Sequence, residues 1–142
     1  MIVLDANILL YAYDAASDQH AKARAWVEEV LSGADPVGLP WQTITAFVRI
    51  VTNPRLSGKR FTPSEVIDLV DQWVTQPNVR LLGPGDHHWS FLRQTILEGQ
   101  ARGPLITDAQ LAALTIEHGG MLCTTDRDFS RFPGLRWQNP IG

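Results

Sequence analysis

Four aspartates are the side chains best suited to do chemistry in this sequence: Asp5, Asp108, Asp126 and Asp128. Asp5 stops the run Ile2-Val3-Leu4, a pattern expected of a strand covered on both faces. Asp126 ends a second such run, MLCTT, and Asp128 follows two residues later. Asp108 opens the helical pattern TDAQLAALTIEHGG, where the positive end of a helix tolerates a carboxylate. In sheets whose strands alternate with helices, working sites lie beyond the carboxyl ends of the strands. Acids from three distant segments could therefore meet on one patch. Crowded carboxylates without a cation repel, and some must take up protons. A hard divalent cation resolves that conflict, and an all-oxygen set favours Mg²⁺ or Mn²⁺ over zinc. Each acid also has a plainer reading. Asp5 and Asp108 could cap helices, and Asp126 and Asp128 could be turn residues ahead of Phe129.

The elements that must position these acids are legible from periodicity. DQHAKARAWVEEVLSG places Ala23, Trp26, Val27, Val30 and Leu31 on one helical face, ended by Gly33. PVGLP reads as a short strand. WQTITAFVRIVTNP carries Ile44, Phe47, Val48 and Val51 on one face and stops at Asn53-Pro54. In TPSEVIDLVDQWV, Thr62 is the N-cap, Pro63 the first helical residue and Glu65 the partner in a capping box. Val66, Leu69, Val70, Trp73 and Val74 form the buried stripe of that helix. NVRLL is a strand, DHHWSFLRQTILEG a helix ending near Gly99, and LRW a last short strand. Strands alternating with helices define an α/β domain with a mainly parallel sheet.

Composition narrows the function classes. The 142 residues are 44% hydrophobic and 19% charged, which predicts one globular domain spanning 1–142. No apolar run approaches the roughly 18 residues needed to span a bilayer, and the first residues lack a basic leader, so a cytoplasmic address is expected. Cys123 is the single cysteine, which excludes an internal disulfide and cysteine-rich zinc sites. A net charge of −3 argues against a protein that coats nucleic acid without selectivity. Even so, RIVTNPRLSGKR holds Arg49, Arg55, Lys59 and Arg60 and no acid, a stretch that could face phosphates or simply be a solvated loop.

Together, VLDANILLYAYD, AFVRIVTNPR, TDAQLAAL, TTDRDF and FPGLRWQNP resemble, in order and spacing, the PIN domain. They are most similar to the toxin ribonucleases of VapC type from bacterial toxin–antitoxin pairs. The resemblance implies a three-layer α/β/α fold with about five strands and a Mg²⁺- or Mn²⁺-dependent endoribonuclease site. It makes Asp5 and Asp108 metal ligands, with Asp126 completing the cluster directly or through a water. Asn7 would hold the Asp5 loop or a ligand water, and Thr124 or Thr125 would support the site from behind. It further implies an RNA substrate, a homodimer, a small VapB-like antitoxin lying across the active-site groove, and products with 5′-phosphate and 3′-hydroxyl ends.

One departure stands out. Family members usually carry a glutamate early in the helix TITAFVRIV, and this chain has Thr45 and Ala46 there, with no acid between Asp35 and Glu65. The site should bind cations more weakly or hold one ion rather than two. Asp128 could lend a carboxylate, and substrate phosphate could supply the missing oxygens. Arg49, about a turn further on, could reach the scissile phosphate or an antitoxin carboxylate, or form a surface ion pair. Arg127 could touch substrate or merely neutralise its acidic neighbours. The histidines show no metal spacing, and His118 suits a helix C-terminus. The tryptophans read mostly as core, with Trp41 and Trp89 able to stay exposed for a partner. A PIN-like domain that binds RNA or protein without cutting is the main competing reading. A receiver domain lacks its acid pair here, and a haloacid-dehalogenase-like phosphatase would want an aspartate where Asn7 stands.

Overall fold

The computed structural model describes residues 1–55 and 61–142, so Lys59 and Arg60 of the basic stretch lie outside the described residues. The chain runs β1 (Ile2–Leu4), α1 (Ala6–Ala12), α2 (His20–Leu31), β2 (Val37–Pro40), α3 (Trp41–Val51) and α4 (Pro63–Val74). It continues through β3 (Val79–Leu82), α5 (His88–Gly99), α6 (Leu105–Glu117), β4 (Met121–Cys123), a 3-10 turn (Arg127–Arg131) and β5 (Trp137–Gln138). All strand pairings are parallel, in the order β3-β2-β1-β4-β5. The expected three-layer α/β/α arrangement is present.

Strand β1 lies at the centre of the sheet, and both of its faces are covered. Leu4 packs into a cluster with α1 to α4, while Val3 points the other way into a cluster with α6, Phe129 and Phe132. That is why the run is continuously apolar rather than alternating. Cys123 is likewise a buried residue of β4, and burial pushes its thiol pKa up.

Helix α3 follows β2 with no loop between them. Pro40, at φ −66° and ψ 144°, is both the last strand residue and the N-cap, so Trp41 and Gln42 begin at the carboxyl edge of the sheet. Phe47, fully buried, anchors this helix by edge contacts to Trp73 and Tyr13 at centroid distances of 4.9 and 5.9 Å. Helix α4 has the capping box read from the sequence, with both Thr62 and Glu65 hydrogen bonds formed.

The start of α6 differs from expectation, while Asp5 takes the capping role the sequence allowed and α2 ends ahead of Gly33. The residues after Asp5 wind at once into α1, so Asp5 is its N-cap. Helix α6 starts at Leu105, with Pro104 as N-cap after Gly103 turns the chain at φ +57°. Asp108 therefore lies inside its first turn and is not the cap. Helix α2 ends at Leu31, one residue short of Ser32, whose hydroxyl donates to the Glu28 carbonyl at 2.7 Å. Among the described residues no helix is long and apolar enough to cross a membrane.

Candidate active site

Each acid reaches the carboxyl edge of the sheet for a local reason. Asp5 leaves β1 and caps α1, so one carboxylate oxygen accepts from Ala6 N–H at 2.7 Å. Its other oxygen accepts from the Thr124 hydroxyl, also at 2.7 Å. Thr124, fully buried just past β4, is a hub: its Oγ1 also accepts from Asn7 Nδ2 at 3.1 Å and from Asp126 N–H at 3.0 Å. One donated and two accepted bonds exhaust that hydroxyl, so its position is fixed. Asp126 in turn caps the 3-10 turn, accepting from Asp128 N–H at 2.9 Å. The cap readings and the convergence are thus compatible, because each carboxylate keeps lone pairs free.

Helix α3 closes the opposite wall. The buried Thr43 hydroxyl donates to the Leu4 carbonyl at 2.8 Å, tying α3 to the end of β1, and Gln42 Nε2 donates to the Thr107 carbonyl at 3.4 Å. Between these elements opens a cleft of about 400 Å³, lined by Asp5, Asp108, Thr45, Ala46, Arg49 and Gln42 among others. The two residues standing in place of the usual glutamate therefore face the same space as two of the acids.

Electrostatics bring the acids together. Burial pushes the Asp5 pKa up; hydrogen bonds from Thr124 and Ala6 oppose the rise, and the Asp126 charge adds to it. The Asp108 carboxyl is pushed up to about 6, first by burial, then by the charges of Asp126, Asp5 and Asp128, with Arg131 opposing. Three segments thus share one field of uncompensated negative charge. Among the described residues no three His, Cys, Asp or Glu side chains form a ready cage for an ion. The donors nevertheless suit a hard cation that uses one or two carboxylates and fills its sphere with water and phosphate oxygens. Asn7 Oδ1, buried and without a hydrogen-bond partner among the described residues, is one more oxygen beside them.

The remaining candidates divide. Thr124, not Thr125, makes the contacts to Asp5 and Asn7. Arg49 is exposed on the rim of the cleft and forms no ion pair among the described residues. Arg127 is exposed at the start of the 3-10 turn and does not line that cleft. Sequence reasoning missed Gln42 and Thr43, which no motif marks, and Arg131, whose charge acts on Asp108 from the far end of the 3-10 turn.

Comparison with known proteins agrees with this architecture. Residues 2–135 match the PIN domain model, and the chain belongs to that family. Within it, the chain is 36% identical over 140 residues to Ribonuclease VapC37 of Mycobacterium tuberculosis, covering 99% of this chain and 97% of that protein. Ribonuclease VapC33 of the same species is 35% identical, covering 99% of each chain. Among solved structures, VapBC2 from Rickettsia felis, bound to a DNA fragment from its promoter, superposes with a TM-score of 0.70 at 16% identity, covering 97% of this chain and 98% of that one. Mycobacterium tuberculosis VapC20, a sarcin-ricin loop cleaving toxin, gives 0.65 at 15% identity, covering 92% and 93%. At these identities the structural likeness speaks to the fold.

Proposed function

We propose that the cleft between α1, α3 and α6 is the active centre of a VapC-type endoribonuclease toxin, neutralised by a cognate antitoxin. The observation that carries this reading is the convergence of Asp5, Asp108 and Asp126 at one edge of the sheet, where Asp5 and Asp108 line one cleft and the charges of Asp126 and Asp5 act on Asp108. Relatives named as ribonucleases align along essentially the whole chain and support it.

In this reading Asp5 and Asp108 hold a divalent cation, Mg²⁺ or Mn²⁺, and Asp126 completes the set directly or through a water. When bound, the ion supplies Lewis acidity toward the phosphodiester and acidifies the attacking water. The protein does the rest. Thr124 locks the Asp5 carboxylate, Asn7 braces Thr124, and Asp128 N–H steadies Asp126. Arg49 pairs with a phosphate oxygen on the wall that lacks the glutamate, so a single ion suffices. Thr125 and Arg127 stand at the margin. In-line attack leaves 5′-phosphate and 3′-hydroxyl ends.

The antitoxin would cover this cleft. A larger groove of about 1020 Å³ between α1, α2, α3 and α4, with Tyr11, Val27 and Leu69 in its walls, offers an apolar seat to an amphipathic antitoxin segment. Trp89 and Leu97, 66% and 64% exposed along α5, support a homodimer seam. Residues 1–142 act as one domain with a cytoplasmic address.

The test is cleavage of structured RNA by antitoxin-free protein with Mg²⁺, Mn²⁺ or EDTA, wild type beside Asp5→Asn. Metal-dependent cutting that the variant loses supports the reading. Thr45 and Ala46 in the cleft favour one rival, a domain that binds RNA without cutting. RNA binding by folded wild type with no cleavage under any metal would select that rival.

A further inference from the structure

A second, smaller cavity of about 180 Å³ lies beside the cleavage cleft, between the start of α3, the end of β3 and the middle of α6. Gln42 lines both spaces, so they are neighbours on one edge of the sheet. Trp41 forms one wall and is 53% exposed, although it is large and apolar. Its Cδ1 stands 3.4 Å from where a side chain on Gly83 would begin, an ordinary van der Waals distance, so the indole lies beside that stretch of backbone. The other walls include Leu82 and Leu114.

Polar groups in this slot lack partners. His88 is 9% exposed, and its Nδ1 is paired with Glu117 Oε1 at 2.8 Å. The carboxylate takes its bond from Nδ1, which leaves Nε2 as the ring's other polar atom. That Nε2 is buried and has no partner among the described residues. Gln110, half-buried on α6 two residues past Asp108, also makes no side-chain hydrogen bond among them. Buried polar atoms are normally paired, so the unpaired His88 Nε2 in the wall of this cavity, with the free Gln110 amide beside it, calls for an occupant with a polar edge. An apolar protein side chain would leave His88 Nε2 unsatisfied and cover the Gln110 amide. An unpaired nucleobase brings an N–H edge for the polar groups and a π-face for Trp41.

We propose that this slot holds one unpaired RNA base adjacent to the scissile phosphate, with Trp41 as its stacking surface and Gln110 and His88 reading its edge. The inference rests on the ribonuclease reading above and assigns it a specificity pocket. Gln42, common to both spaces, separates the base from the phosphate held at Arg49 and the aspartates.

The experiment maps cleavage sites of wild type, Trp41→Ala, Trp41→Phe and Gln110→Ala on a randomised single-stranded RNA library with Mg²⁺, reading base preference at each position. The expected result is roughly a tenfold loss of kcat/KM for Trp41→Ala, the size of one lost base–aromatic stack, with most activity retained by Trp41→Phe. Gln110→Ala should change the preferred base at a single position next to the cut. An abasic nucleotide at that position should make wild type and Trp41→Ala equal. Unchanged base preference and rate in both Trp41→Ala and Gln110→Ala, while wild type still cuts, would overturn the slot and leave the ribonuclease reading standing. A halved sedimentation mass for Trp41→Ala would also overturn it, because a second copy of the chain would then cover the slot. Failure of wild type to bind or cut any RNA would remove the ribonuclease reading and the slot with it.

Discussion

Two half-buried polar clusters lie at opposite ends of helix α6, and they are built on opposite electrical plans. At the C-terminal end, the Glu117 carboxylate accepts from His88 Nδ1 at 2.8 Å and from Gly85 N–H at 3.0 Å. A side chain on Gly85 would begin 2.6 Å from Glu117 Oε2, so the carboxylate would have to shift to admit one. His118, the C-cap, adds a bond to the Gly83 carbonyl at 2.9 Å. The Glu117 anion is matched by imidazole and amide and the β3–α5 connection is clamped, while His88 Nε2 is left without a partner among the described residues. At the N-terminal end, Asp108 meets the charges of Asp126, Asp5 and Asp128, with only Arg131 opposing. The Glu117 cluster closes its charges; the proposed site leaves them open for what it would bind.

Breaking the closed cluster should have the largest effect on stability. Removing the imidazole with His88→Ala strands the Glu117 carboxylate and should cost about 3 kcal/mol, read by urea denaturation. An unchanged midpoint would mean that the pair is no clamp. Thr124→Val keeps shape but removes the hub, leaving Asp5, Asn7 and Asp126 N–H short of a partner. A loss of about 2 kcal/mol is expected, with Thr124→Ser restoring most of it.

The open cluster should show itself through pH, with a smaller effect. Asp108 titrates at about 6 in the folded chain, above the roughly 3.9 of an unfolded aspartate. The folded state therefore binds more protons within that window. Stability contributed by this group falls as pH rises from about 4 to 6 and stays lower above it. Because the carboxyl is only partly shielded, the difference should be about 1 kcal/mol. Melting in EDTA at pH 5 and pH 7.5, wild type against Asp108→Asn, isolates it: the variant should lose this slope. Identical slopes would mean that Asp108 is not under the pressure described.

Much of the fold was legible because its signals are local. The Thr62–Glu65 capping box, the apolar strand runs and the stripe of α4 each need only a few adjacent residues, and each is present. The acids were legible too, since parallel strands send their carboxyl ends to one edge whatever the intervening loops do. What stayed hidden depends on distant pairs or on one backbone angle. His88 and Glu117 lie 29 positions apart, so no spacing announces their bond. Gly103 at φ +57° moved the start of α6 and put Asp108 inside a turn rather than at its cap. Gln42, Gln110 and Trp41 became a coherent group only once α3 was seen to leave β2 without a loop.

If Asp5, Asp108 and Asp126 serve one cation together, as proposed, Mn²⁺ binding followed by electron paramagnetic resonance should show it. At pH 7.5 the antitoxin-free chain should take up one ion. Asp5→Asn, Asp108→Asn and Asp126→Asn should each weaken that binding at least tenfold, about 1.4 kcal/mol, while melting as folded proteins. Equal affinity in wild type and all three variants, or no uptake by the folded wild-type chain, would contradict it.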